Sequence, residues 1–291
     1  MMKNREVFQF MTIRKLIDVG KNMPLVGSII KTPTWQSLRH RITLLTSDRT
    51  VATFTGFFRL PTQFETLSGP VLDSLFPGGA PGPLKIIVIG CSKGAEAYSI
   101  ASVLRNRHPE LAFNIYAYDV NKDVIKKARS ARYMPEEVYT KRIPARYIDA
   151  TFDRENNYYV IKEEVAQSVS FDIADAFDPD LKTTIGTADI VFAQNFLVHM
   201  KPKAATRAFN NICNLLNPNA ALFIDGMDVG LRQTLTRKSN LIPLKHNIEE
   251  IHNEARIARG VGWPYSYWGL EPLSTTKREW QRRYSTIFMK K

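Results

Sequence analysis

The chain has 291 residues and only two cysteines, Cys91 and Cys213. That is too few for a disulfide framework or a cysteine-rich zinc site. No apolar run approaches the roughly 18 residues needed to cross a bilayer. Lys3, Arg5, Arg14 and Lys15 break up the apolar residues near the start, so the uninterrupted core of a secretion signal is missing and the cytoplasm is the expected compartment. Internal repeats and low-complexity tracts are also missing. What remains is a 44% apolar sequence, enough for a packed globule of one large domain, with or without a smaller companion.

The net charge of +12 is concentrated at the ends. Residues 1 to 50 hold nine Lys/Arg against three Asp/Glu, residues 231 to 291 hold twelve against five, and the long middle is close to neutral. Basic flanks of this kind serve solubility, or they meet an acidic protein, a nucleic acid or a membrane surface.

The stretch Leu84 to Ala101, LKIIVIGCSKGAEAYSIA, organises the rest. Ile86 to Ile89 is a β-branched run typical of a strand buried on both faces of a parallel sheet. Gly90 to Gly94 then reads as a turn, and Ala97, Ile100, Ala101 and Leu104 carry helical spacing. Glycines at the carboxyl end of such a strand let a ligand approach the backbone, or simply permit a tight turn. Neither a GxGxxG nor a GK[ST] ending is present, which argues against a dinucleotide or a nucleoside triphosphate.

Upstream, Val7 to Val19 and Thr34 to Leu45 read as amphipathic helices. In TFTGFFRLPTQFETL (53 to 67), Phe57 and Phe58 should tether Arg59 close to the core. Ser68 to Pro83, with four prolines and four glycines, reads as a linker. Downstream strands are expected at Phe113 to Tyr118, around Val169 to Ala174, at Ala188 to Ala193 and at Ala220 to Asp225. Residues 230 to 262 read as helical and basic, through Arg232, Arg237, Lys238 and Lys245. The alternation of Tyr284, Thr286 and Phe288 marks a last edge strand.

The pieces TGFFRLPTQFETL, IGCSKGAEAYSIA, AYDVNKDVIKKARSARY, VSFDIADAFDP and DIVFAQNFLVHM stand in the order and spacing of the CheR-type methyltransferases. The chain resembles that family over about residues 50 to 228. The resemblance implies an α/β fold, a doubly wound, mostly parallel seven-stranded sheet of the class I methyltransferase, Rossmann-like kind, with a short helical N-terminal portion. On that reading residues 1 to 67 are the helical portion, 68 to 83 the linker, and 84 to 291 the catalytic domain with a divergent insertion at 230 to 275. S-adenosylmethionine is the implied cofactor.

The same resemblance assigns roles. Arg59 would grip the methionine carboxylate as a planar, permanently charged fork, with Thr53 and Thr55 beside it. Gly90 and Gly94 would form the cofactor turn, with Glu96 available to the amino group. Asp119, after the second strand, would accept both ribose hydroxyls. Asp175, where the family commonly has asparagine, would meet the adenine amino group or else only shape a turn. Gln194 and Asn195 stand where the family has Arg-Asn, so Asn195 matches and Gln194 departs, and both would sit under the ligand at the strand's carboxyl end. His199 replaces a tyrosine and is the single catalytic candidate, with a structural hydrogen bond at the start of the next helix as the alternative.

Methyl transfer from a sulfonium is an in-line displacement governed by positioning. A carboxylate acceptor is already ionised at neutral pH and needs no general base. Nucleic acid is disfavoured as acceptor. Asn195-Phe196-Leu197-Val198 lacks the Asn/Asp-Pro-Pro-aromatic element of amino-base methylation, and neither cysteine stands as a nucleophile. The aromatics Trp263, Tyr265, Tyr267 and Trp268 pack in the core or wall a pocket for an apolar acid. The residues therefore lean to a small or lipid-like carboxylic acid as acceptor, whose methyl ester could serve as a diffusible signal. The alternatives are the receptor glutamates of chemotaxis and a non-catalytic, cofactor-binding adaptor. No segment reads as the small receptor-tail-binding sheet that some chemoreceptor enzymes carry. Peripheral membrane contact is expected only through the basic flanks.

Overall fold

The computed structural model describes residues 55–79, 82–138, 143–259 and 271–291. The chain divides into two compact units, Met1–Ser47 and Asp48–Lys291, and everything described belongs to the second. The helices expected at 7 to 19 and 34 to 45 therefore lie outside the described residues, as do Thr53 and the aromatics at 263 to 268.

The main sheet contains β1 (Leu84–Ile89), β2 (Phe113–Asp119), β6 (Val169–Ile173), β7 (Ala188–Gln194), β8 (Leu216–Asp225), β9 (Ile242–Pro243) and β10 (Ile287–Met289). Their order is β6-β2-β1-β7-β8-β10-β9. The chain order reverses between β1 and β7, so the carboxyl ends of these two strands flank a crevice of the kind in which ligands bind. The seven-stranded doubly wound sheet is as expected.

Burial on both faces explains the apolar strands. Ile86 and Val88 enter one core with Phe57, Phe58 and Ile100, while Ile87 and Ile89 enter the other with Phe209 and Ile212. Each such side chain contributes roughly 1.5–3 kcal/mol when fully buried. Across the next pair, Phe192 and Phe223 stack with centroids 4.1 Å apart.

Helix α1 (Pro61–Thr66) runs on through residues 67 to 75, so the first half of the expected linker is helical and packs on the domain. Its apolar side chains Leu67, Val71, Leu72 and Leu75 are all buried, which overrides the breaking tendency of Gly69 and Pro70. Helix α2 (Ala95–Arg107) follows β1, and helix α3 (Lys122–Arg129) follows β2 with Asn121 capping its first N–H groups.

A second sheet corrects the sequence reading. β3 (Arg132–Tyr133), β4 (Phe152–Glu155) and β5 (Tyr158–Ile161) form an antiparallel sheet in the order β3-β5-β4, with helix α4 (Ala145–Thr151) leading into β4. These strands are only two to four residues long, too short for alternation to reveal them.

The C-terminal half also departs from expectation. Helix α5 (Pro202–Cys213) precedes β8, and the helical stretch after it is two helices, α6 (Val229–Lys238) and α7 (Ile248–Arg259), separated by β9. Asn240, at φ 54°, ends α6 by letting the Leu241 N–H bond to the Thr236 carbonyl. Trp280–Tyr284 coils into helix α8, leaving only Ile287–Met289 extended. That strand lies antiparallel between β8 and β9 and is not the edge. The edge is β9, where Pro243 needs no ladder donor. Arg232, expected on the basic surface, is wholly buried. Among the described residues no helix is long and apolar enough to cross a membrane, and no His/Cys/Asp/Glu cluster is placed to hold a metal.

Candidate functional site

Strand register puts four residues level along the carboxyl edge of the sheet. Ile89 pairs with Tyr118 on one side and Ala193 on the other, and Gln194 pairs with Asp225. Gly90, Asp119, Gln194 and Asp225 are thus one row, spaced at about 4.8 Å per strand.

Asp119 anchors the left of this row. Its Oδ2 accepts the Ser92 N–H at 2.9 Å and its Oδ1 the Asn121 N–H at 3.0 Å. A carboxylate offers about four acceptor positions, so two remain for a diol. Val120 and Ile173, 37% and 46% exposed, present apolar side chains beside it. Asp175 accepts the Phe177 N–H at 2.9 Å, the turn role weighed for it. Gly94 begins α2 at φ 88°, and a Cβ there would stand 2.8 Å from the Phe171 ring. Only glycine meets both conditions.

Arg59 is held as its neighbours suggested. Phe57 packs edge-on against Tyr133 and Phe152, and Phe58 stacks on Tyr147 at 4.8 Å. Phe58 adopts φ 47°, a backbone state that costs a bulky residue about 1–3 kcal/mol, and its N–H is fixed to Ser99 Oγ at 3.0 Å. Thr55 is half-buried just upstream.

The charge of Arg59 reaches both Glu96 and His199. Burial pushes the Glu96 carboxyl up to about 7, Arg59 opposes that rise, and Asp225 adds to it. No hydrogen bond reaches Glu96 among the described residues. His199 ends a short turn after β7, and burial together with Arg59 lowers its proton affinity, so it stands neutral at pH 7. Asn195 sits at φ 62° with its N–H on the Asp225 carbonyl. Gln194 directs its amide to Gln63 Oε1 at 2.7 Å, and Gln63 continues to Thr286 Oγ1 at 2.8 Å, bracing α1 against the sheet. The Cys91 thiol is buried, and that burial together with Asp119 and Glu96 pushes its pKa up.

Arg59, Glu96 and His199 thus share one electrostatic neighbourhood with Asp225, beside the row that carries Gly90, Asp119 and Gln194. Sequence reasoning missed Asp225, Ser99, Val120 and Gln63. Asp225 carried a signal, an acid ending an apolar strand. The other three are visible only in the fold.

The residues fit a sulfonium donor bearing a sugar and an amino acid. Asp119 has acceptor capacity to spare at the end of β2, and Arg59 stands within electrostatic reach of Glu96, a carboxyl that no hydrogen bond reaches among the described residues. The family described as CheR methyltransferase, SAM binding domain matches residues 53–242. The chain is 29% identical over 206 residues to the "Probable biofilm formation methyltransferase WspC" of Pseudomonas aeruginosa, covering 70% of this chain and 48% of that protein. It is 26% identical to "Chemotaxis protein methyltransferase 2" of Vibrio cholerae (66% of this chain, 65% of that one). It is 24% identical to the "Chemotaxis protein methyltransferase" of Escherichia coli (72% and 69%). The chain spans about half the length of the first of these relatives.

Proposed function

The chain belongs to the CheR methyltransferase family, with S-adenosylmethionine as its cofactor, and from that premise we propose that it esterifies glutamate side chains of a receptor-type protein. The lean towards a small or lipid-like acid finds no support among the relatives, whose names are those of chemotaxis and biofilm-formation methyltransferases. The aromatics that motivated it lie outside the described residues.

The observation that carries the protein reading is the three-stranded sheet. Among the described residues β4 pairs with β5 alone, and Asp153, Arg154 and Glu155 on it are exposed. An extended peptide can add itself to such an edge through main-chain hydrogen bonds. The sheet is fixed to the cofactor turn: Tyr133 Oη donates to the Lys93 carbonyl at 2.6 Å, and Glu137 pairs with Lys93 and Lys127 at 3.0 and 2.9 Å. A protein held there is held in register with the site.

When bound, the cofactor supplies a methyl group on sulfur, whose C–S bond breaks as an acceptor carboxylate oxygen forms the new C–O bond. The chain's part is placement. Asp119 would take the ribose hydroxyls, Val120 and Ile173 would lie beside the base, Arg59 would take the amino acid's carboxylate, and Glu96 its ammonium. His199, neutral and within reach of the Arg59 charge, is the side chain whose N–H would orient a carboxylate acceptor already ionised at pH 7. Alignment of acceptor, methyl and sulfur then provides the rate.

The test is a cell extract supplied with methyl-labelled donor and the purified protein. Base-labile label on a membrane-fraction protein, lost with Arg59→Ala, is the expected result. Label confined to an organic-soluble small molecule overturns the protein reading, and donor binding without transfer to any fraction favours the adaptor.

A further inference from the structure

Arg59 sits on a short bridge between two anchors. At one end the Phe58 N–H is fixed to Ser99 Oγ on α2 at 3.0 Å. At the other, Thr62 is held by Glu254 of α7: the Thr62 N–H lies 3.1 Å from Glu254 Oε2 and 3.4 Å from Oε1, and the Thr62 hydroxyl donates to Oε1. Between the anchors lie Arg59, Leu60 and Pro61.

The second anchor answers a need set by the sequence. Leu60 stands at the N-cap of α1 and has no side-chain acceptor to offer the first turn, while Pro61 has no N–H. The Thr62 N–H is therefore the first donor of α1 that needs an outside partner, and the Glu254 carboxylate supplies it. Leu60 is buried and the ring of Pro61 fixes its φ, so little slack remains between Thr62 and Arg59. One turn further along α1, Asn247 Nδ2 donates to Thr66 Oγ1 at 3.0 Å, and Ile251 and Ala255 of α7 enter the same core as Phe58 and Phe64. Glu254 stands beyond residue 242, where the match to the family ends. The clamp thus comes from the chain's own C-terminal part.

We propose that Glu254 is a positioning residue for donor binding, which fixes the place of Arg59 by capping α1. The proposal rests on the reading that Arg59 takes the donor's carboxylate. A guanidinium receives a carboxylate through a rigid fork of N–H groups, and a displacement beyond about 0.5 Å loosens such a grip. The adenosine half of the donor is read as held by Asp119 at the end of β2, which α1 does not carry. Loss of the Glu254 cap should therefore weaken the hold on the amino acid and spare the hold on the nucleoside.

The experiment titrates wild type, Glu254→Ala, Glu254→Gln, Asn247→Ala and Arg59→Ala by calorimetry with two ligands, alongside thermal melting. S-adenosylhomocysteine carries the amino acid; 5′-methylthioadenosine keeps the adenosine and lacks it. Glu254→Ala should lose about fivefold or more in affinity for the first and stay within about twofold for the second. Glu254→Gln keeps one acceptor for the Thr62 N–H and should hold both within about twofold of wild type. Asn247→Ala loosens the same helix pair one turn away and should melt lower with the ratio of the two affinities unchanged. In the Arg59→Ala background, Glu254→Ala should not lower that ratio further. Should Glu254→Ala fail to fold, Glu254→Asp, one methylene short of Thr62, is read for the same fall in ratio. Equal weakening of both ligands, or of neither, is what a merely structural cap gives and overturns the proposal, as does an equal fall in ratio in Asn247→Ala. A ratio that Arg59→Ala leaves at the wild-type value removes the role of Arg59 and this inference with it. A wild type that binds neither ligand removes the placement of the cofactor site itself.

Discussion

The Ser92 N–H lies 2.9 Å from Oδ2 of Asp119, so the glycine turn after β1 is stapled to the tip of β2 by the carboxylate proposed to take the ribose. Asp119→Ala removes an acceptor from two backbone donors, Ser92 and Asn121. Leaving part-buried donors unpaired costs about 1–3 kcal/mol. The variant should melt lower and bind S-adenosylhomocysteine at least about tenfold more weakly, the equivalent of 1.4 kcal/mol. Asp119→Asn keeps one acceptor and should lose less of both. Wild-type affinity in Asp119→Ala would remove Asp119 from the site.

Ser99 is the second staple. Its Oγ accepts the N–H of Phe58 at 3.0 Å and donates to the Ala95 carbonyl at 2.7 Å. Ser99→Ala leaves a buried N–H unmet on a residue already at φ 47°, which should cost about 1–3 kcal/mol in urea unfolding. Arg59 is the next residue, so donor affinity should fall several-fold as well. Stability loss with unchanged affinity would show that Arg59 keeps its place without the staple.

These staples mark the boundary of what the sequence makes legible. The strand, turn and helix at Leu84–Arg107 can be read because burial on both faces demands an unbroken apolar run and the helix beyond it repeats at its own period. Asp119 follows from ending the next such run, and the tethering of Arg59 from its two phenylalanines. The three-stranded sheet is hidden because its strands are shorter than one period of evidence, and β10 because its place between β8 and β9 is set by long-range pairing. Arg232 reads as a surface cation since nothing local reveals that Asp225, seven residues earlier, waits for it in the core.

Glu137 ties the small sheet to the catalytic unit. Burial opposes its ionisation, but the Met134 N–H, Lys127 and Lys93 outweigh that and hold the carboxyl at about 2. A depressed carboxyl stabilises the fold above its unfolded value of 4.5, and the contribution fades as pH falls from there towards 2. Glu137→Gln should destabilise at pH 7 by about 1–3 kcal/mol, a range set by its charge-assisted hydrogen bonds, and by progressively less as pH falls from 4.5 towards 2. Hydrogen exchange across residues 132 to 161 should rise in the variant. Protection equal to wild type would mean the sheet is held by Tyr133 and Phe57 packing alone.

Glu96 works in the opposite direction, costing the fold stability, as expected of a residue proposed to serve binding. Its carboxyl is raised from 4.5 to about 7 by burial, with Arg59 opposing and Asp225 reinforcing. Below pH 4.5 both folded and unfolded chains carry the proton and Glu96 costs nothing. Between 4.5 and 7 the unfolded chain ionises first, so stability is lost as pH rises, and above 7 the full cost remains. At about 1.36 kcal/mol per pH unit, that cost is of the order of 3 kcal/mol at most. The cofactor-free Glu96→Gln protein should therefore be more stable than wild type at pH 8, with the gain vanishing by pH 4.5, as followed by urea unfolding across the range. Saturating S-adenosylhomocysteine should reverse the order at pH 8, since only wild type offers the ammonium an anion. A Glu96→Gln protein less stable than wild type at every pH, with or without ligand, would make Glu96 an ordinary structural acid and move the ammonium site elsewhere.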